Sequence, residues 1–232
     1  NVQAQVVANY RFDDCKYTGA SAEVLDQTGT YSATSYGSMS TFTPGKIALA
    51  ANISSEFHHI ETAIPLASQF SVSTWFKKPT STSDSPYFVL GAMQSGGDLL
   101  YIDRGNGWRW GVYNASSGAI NGSYSFSGLD NNWHHMALVY SSGQTQLYID
   151  GTLQDTINRV PSGTLKYIGT SYDGVSSSNP QGFRAPLDEF IVFDNALSAA
   201  EIATIYSNQN AGNNYDGSSR SAVSCSSIIA EY

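Results

Sequence analysis

Trp108 and Trp110, two residues apart, are the side chains in this sequence best suited to grip a ligand. If their strand is regular, both rings project from one face and Tyr113 from the other. Tyr101, on the strand before, is expected to face the pair. Aromatic rings stack on the C–H faces of sugars, and Arg109 beside them supplies hydrogen-bond donors for hydroxyl groups. Large rings also dominate the interior of packed sheets, so ligand contact and core are both open for Trp108 and Trp110. Trp75 and Trp133 are expected in the core. Tyr172, with Arg104, Asn106, Asp173 and Asn179, is a loop or rim candidate around the same site.

The remaining reactive types are sparse. His134 and His135 are adjacent, as are His58 and His59, and neighbours in a strand point to opposite faces. Neither pair can chelate one ion side by side, so hydrogen-bonded histidines are expected. Cys15 and Cys225 are the only two cysteines, too few for a zinc site. A bridge between them is favoured over two buried thiols, because chain ends of compact domains often lie close together. It would indicate an oxidising compartment. Gly105-Asn106-Gly107 lies between strands and reads as a hairpin turn, not a dinucleotide loop. A Gly-x-Ser-x-Gly nucleophile motif is missing.

These residues sit on a chain of many short strands. The 232 residues include 21 Gly and 15 Tyr, and only 13% are charged. A formal net charge of -8 without a basic cluster argues against nucleic-acid binding. No apolar run is long enough to insert in a membrane, and no signal peptide is evident at the start. Phe70, Val72 and Thr74 alternate with Ser71, Ser73 and Trp75, the period of a strand. The segment Leu187 to Ile202 reads as a strand with acids at its beginning, a tight connection and a helix. That helix is expected from Ala199 to about Ser207, with Ser198 and Glu201 forming a capping box. Without a repeat or composition break, residues 1–232 read as one domain with a polar tail from about 208.

The order of these landmarks resembles a laminin-G-like domain of the concanavalin A-like superfamily. They run from Val7–Asp13 through Leu25–Gly29, Phe70–Trp75, Trp133–Tyr140 and Leu147–Gly151 to Leu187–Ile205. The tail Asn213–Arg220, with Cys225 after it, is similar to the segment C-terminal to such a region in bacterial MSHA-type pilus biogenesis proteins. The resemblance implies an all-β fold: an antiparallel β-sandwich, the jelly roll, with one short C-terminal helix. It also implies a structural Ca2+ held by the Asp26 carboxylate, a carbonyl near Gly29, and Asp188. Calcium takes six to eight oxygens and accepts carbonyls from a tight turn. The alternative is that Asp26 makes an Asx-type turn and Asp188 caps a strand or forms an ion pair.

Glucanases of that superfamily carry alternating acids on one strand, whereas Asp188 and Glu189 are adjacent. The expectation is therefore a non-catalytic extracellular recognition or adhesion domain, secreted, on a bacterial surface or in the periplasm, within a larger protein. Its partner would be a glycan or a surface protein. A protein-binding spacer and a divergent glycosidase or lyase are the alternatives.

Overall fold

The computed structural model describes residues 4–80, 86–94, 96–171, 181–223 and 225. Its strands are β1 (Val6–Tyr10), β2 (Thr34–Tyr36), β3 (Ser40–Phe42), β4 (Ala50–Ile53), β5 (His59–Pro65), β6 (Phe70–Lys77), β7 (Tyr87–Met93) and β8 (Gly97–Asp103). They continue with β9 (Arg109–Asn114), β10 (Gly118–Ser125), β11 (Trp133–Ser141), β12 (Gln144–Ile149), β13 (Thr152–Ile157), β14 (Thr164–Ile168) and β15 (Ala185–Phe193). An α-helix, α1 (Ala199–Asn210), comes after the last strand.

The strands form two antiparallel sheets. The larger runs β13-β12-β11-β6-β15-β4-β3, with β1 added beside β15. The smaller, seven-stranded sheet runs β10-β9-β8-β7-β14-β5-β2. Alternation decides what lies between them. From the larger sheet Phe70, Val72, Phe76, Met136, Leu138, Tyr140, Phe190 and Val192 point inward. Phe88, Leu90, Ile102, Trp110, Val112 and Ile168 meet them from the smaller sheet.

The larger sheet is also covered on its outer side. Ala137, Val139, Ile191 and Phe193 pack there against Leu197, Ile202 and Ile205. Strand β6 is accordingly buried on both faces, with Ser71, Ser73 and Trp75 beneath the helix. Ser198 and Glu201 form the expected capping box. The helix runs three residues beyond Ser207, and Gln209 on that extra turn is fully buried.

Cys15 and Cys225 are bonded, as expected, across a separation of 210 residues. Strands β1 and β15 are direct neighbours, which brings the two ends of the chain together.

One boundary differs from the sequence reading. Asp188 and Glu189 lie in the middle of β15, not at its beginning. The register slips between Asp188 and Ile191, and Glu189 takes a left-handed backbone (φ 52°). A bulge of this kind inserts one residue without a partner. It turns two successive acids away from the core while Leu187 and Phe190 on either side remain in it.

Candidate functional site

The structure keeps Trp108 and Trp110 together on the inner side of their sheet, as expected, and parts them from Tyr101. Trp110 is fully buried, and Val112, two residues on, shares its inward face. Its indole N–H donates to Asp155 Oδ2 at 2.7 Å. That same oxygen accepts from the amides of Ser123 and Tyr124 at 2.5 and 3.0 Å, so Trp110 and Asp155 join β10 to β13. Gly122 leaves the space the indole occupies. Trp110 is therefore core, because a ring next to Val112 on an edge-proximal strand fills the gap between the sheets. Trp108 is half-buried and lies flat on Phe88, with centroids 5.4 Å apart and planes 13° apart. Arg109 is exposed at the start of β9. Tyr101 does not face this pair: it is paired with Gly111, so it belongs to the opposite, outer face of the sheet. Tyr172, Asp173 and Asn179 lie outside the described residues.

The outer face of the seven-stranded sheet gathers aromatic rings and carboxylates. The register places Ala119, Tyr113, Asp98, Ala92, Tyr167, Glu61 and Thr34 side by side in one row that crosses all seven strands. Small Ala92 lies between Tyr113 and Tyr167 as a floor between two rings. A parallel row holds Asn121, Gly111, Tyr101 and Val89. The Tyr101 ring lies over Gly111, where any side chain would overlap it. Its hydroxyl donates to Asn121 Oδ1, and Tyr87 meets the ring edge-on at 5.9 Å. Burial and the carboxylates of Asp103 and Asp98 push this phenol up to about 12, so it remains a neutral donor.

At the far edge, Tyr36 stacks on His59 with centroids 5.0 Å apart and planes 3° apart, and Tyr167 meets His59 edge-on at 5.7 Å. The His59 ring is buried, with Nδ1 3.0 Å from the Phe57 carbonyl. Burial holds His59 below its usual range. Glu61 and Lys166 pair at 3.2 Å beside it. Sequence reasoning missed Tyr36, Tyr113, Tyr167 and Asp98. The signal was present in the alternation of β7 and β9, where Phe88, Trp110 and Val112 go in and Tyr87, Gly111 and Tyr113 go out.

The residues expected to hold calcium do not fit that ion. Asp26 Oδ1 accepts from the amides of Asn9 and Thr28 at 2.8 and 3.0 Å. Its Oδ2 accepts from the Thr28 hydroxyl and the amides of Thr30 and Tyr31, at 2.5, 3.2 and 2.9 Å. A carboxylate offers about four acceptor positions, and all are filled by donors. Those hydrogen bonds hold Asp26 below the usual carboxylate range although burial opposes them. Gly29 closes the turn with φ 77° and donates to the Asp26 carbonyl at 2.9 Å. Asp188 is fully buried and secures another loop: Oδ2 accepts from the amides of Lys46 and Ile47 at 2.8 and 3.0 Å, and Oδ1 from Glu189 at 2.9 Å. Burial and the adjacent Glu189 push it well above the usual carboxylate range. Both acids serve backbone amides, the Asx-turn role for Asp26 and a loop-holding role for Asp188.

No other metal-binding group of three or more His, Cys, Asp or Glu side chains occurs among the described residues. His134 lies between Asp150 at 2.8 Å and Asp130 at 3.1 Å. Ser73 and His135 are 2.8 Å apart, a nucleophile–base distance, but both are fully buried. Trp75 and Tyr206 pack on the imidazole, so no substrate reaches the pair.

The comparisons agree with this architecture. One similar structure is domain 4 of AbnA, a GH43 extracellular arabinanase from Geobacillus stearothermophilus, in complex with arabinotriose. It is 20% identical, with a TM-score of 0.60, over 86% of this chain and 97% of that domain. The binding domain of botulinum neurotoxin serotype D matches at 17% identity and a TM-score of 0.64, over 90% of this chain and 53% of the toxin chain. The receptor-binding domain of the C/D mosaic neurotoxin matches at 17% and 0.63, over 88% and 51%. The chain thus spans about half the length of those toxin domains. No curated protein sequence matches it. Residues 50–203 match the Laminin_G_3 family, described as the concanavalin A-like lectin/glucanases superfamily. With most of its length covered by that match, and two stacked antiparallel sheets to account for it, the chain belongs to the Laminin_G_3 family of concanavalin A-like domains.

Proposed function

We propose that this chain is a non-catalytic recognition domain that binds a neutral glycan on the outer face of its seven-stranded sheet. One observation carries the reading. The outer face of the larger sheet is covered by α1, whereas that of the smaller sheet carries five tyrosines (Tyr36, Tyr87, Tyr101, Tyr113 and Tyr167). The part-exposed rings of Tyr36, Tyr113 and Tyr167 provide stacking surfaces, and the carboxylates of Asp103 and Glu61 provide acceptor positions for hydroxyl groups. The formal charge of -8 and the acids on this face disfavour anionic polysaccharides. The arabinotriose complex of the arabinanase domain supports a sugar ligand, and the receptor-binding role named for the toxin domains supports recognition without catalysis. The disulfide supports a location outside the cytoplasm, and no described helix is long and apolar enough to cross a membrane. The resemblance of the 213–225 tail to pilus biogenesis proteins favours a place in a larger bacterial surface protein.

Titration calorimetry with neutral oligosaccharides tests this. Tyr113→Ala and Tyr167→Ala are each expected to weaken binding by roughly tenfold, the loss of a stacking contact worth about 1 to 1.5 kcal/mol, with little change in thermal midpoint. A folded protein that binds no neutral glycan, or one that releases shortened products from it, would overturn the reading.

A further inference from the structure

The oxygens of Asp26 and Asp188 already serve hydrogen-bond donors, mostly backbone amides, and do not offer the donor set a divalent ion needs, so other groups must join the first and last strands. We infer that Arg220 is the resident cation of this fold, and that the junction of β1 and β15 is secured without a divalent metal.

Arg220 comes from the polar tail, outside the residues that match the family. Its guanidinium reaches acids from both ends of the chain. Nη2 is 2.7 Å from Asp13 Oδ2 and also contacts Glu189 Oε1. Nη1 donates to Glu189 Oε2 at 3.2 Å and to Asn214 Oδ1 at 3.0 Å. The two nitrogens thus meet both oxygens of Glu189, the forked pairing that a planar guanidinium favours over a point charge. The side chains of Arg220 and Glu189 are only 6% and 1% exposed. A buried carboxylate of this kind needs a partner of opposite charge.

The guanidinium also completes a chain of contacts that a spherical ion would not require. Glu189 Oε2 accepts from Gln209 Nε2 at 3.1 Å, and Gln209 Oε1 accepts from the Trp75 indole at 2.8 Å. Helix α1, strand β6, strand β15 and the segment after β1 are therefore joined through one buried network. The bulge at Glu189 is what turns this acid toward Arg220.

The tail is built to deliver the arginine. Asn208 Nδ2 donates to the Tyr215 carbonyl at 2.9 Å, and Tyr215 meets Phe193 edge-on at 6.0 Å. The Asn214 carbonyl accepts from the Gly217 amide and the Asn214 amide donates to the Ser218 carbonyl, both at 2.9 Å, closing a turn just before Arg220. Cys225 then ties the segment to Cys15, two residues from Asp13. A divalent ion at this junction would meet oxygens already facing a positive charge and would need six to eight of them.

Thermal unfolding of the full chain in millimolar calcium and after exhaustive chelation tests the inference, with calcium content measured on the same samples. The expected result is coincident midpoints and no retained calcium. Arg220→Met should lower the midpoint by roughly 5–10 °C, because it leaves Glu189 buried without its partner. Arg220→Lys should fall between, since it keeps the charge and loses the fork. If Arg220→Met does not fold, the lysine variant and the wild-type calcium comparison carry the test. Stoichiometric calcium in the wild-type protein, a midpoint raised by calcium, or an Arg220→Lys variant as stable as wild type would each overturn it.

Discussion

His135 is held neutral in the folded protein. It has no exposed surface, Trp75 and Tyr206 pack on its ring, and burial pushes its pKa down to about 4, with Asp150 opposing and Lys46 reinforcing the shift. The folded value lies below the ordinary histidine value of 6.5. Stability from this group is therefore fully present above about pH 6.5 and is lost as pH falls toward 4. At about 1.4 kcal/mol per unit, the loss is on the order of 3 kcal/mol. Urea unfolding at neutral pH and near pH 4.5 measures it, and His135→Asn should flatten the difference. An equally steep acid loss in that variant would show that other groups cause it. A polar, hydrogen-bonded role for the histidines was legible from their adjacency. The face occupied by Trp110 was not assigned, although its partner Val112 is apolar and Gly111 between them is not a core residue. Asp26 and Asp188 were legible as important acids. Neither acid's own position reveals that backbone amides fill its acceptor sites, since those amides belong to segments such as Lys46-Ile47 and Thr30-Tyr31.

Strands set the geometry of the binding face. Tyr113 on β9 and Tyr167 on β14 are separated by β8 and β7, three strand intervals or about 14 Å at the usual spacing. Tyr36 on β2 lies two intervals beyond β14. A ligand laid along the row therefore crosses the strands and is an oligomer. Affinity is expected to rise with chain length until the ligand reaches β2, where Tyr36 lies two residues along the strand from Thr34 of the row. Tyr36→Ala should then weaken the longest oligosaccharide and leave a disaccharide unchanged, as read by calorimetry across a length series. Equal effects on short and long ligands would rule out this orientation while leaving glycan binding itself intact. The alternation in β6 and the capping box of α1 were readable because each is local. The bulges between Asp98 and Tyr101 and between Asp188 and Ile191 were not, because one inserted residue changes which side chains share a face. Tyr101 lies on the outer side for a different reason: the turn after β8 sets Asp103 opposite Arg109 and Ile102 opposite Trp110, which leaves Tyr101 opposite Gly111.

At the level of the whole molecule, the disulfide closes nearly the entire chain, its two ends 210 positions apart. In the chain-entropy account a loop of that size contributes about 5 kcal/mol, and a double Cys15→Ser, Cys225→Ser variant should melt roughly 10 °C lower. An unchanged midpoint would mean that β1 and β15, with Arg220, already fix the ends. The sandwich was legible from many short alternating segments and from the order of landmarks. Which sheet α1 would cover was not, because both faces of β6 contain residues that could be buried.

The bond between Trp110 and Asp155 has one more effect. Strands β10 and β13 are the outermost members of their sheets on one side, and Asp155 stitches them to each other. On the opposite side the last strands, β2 and β3, are only three residues long. Long open borders are what let sheets from separate copies zip together into aggregates. The Asp155 carboxylate occupies two amides on the β10 edge and the opposite strands are short, so the border open to another copy is reduced on both sides.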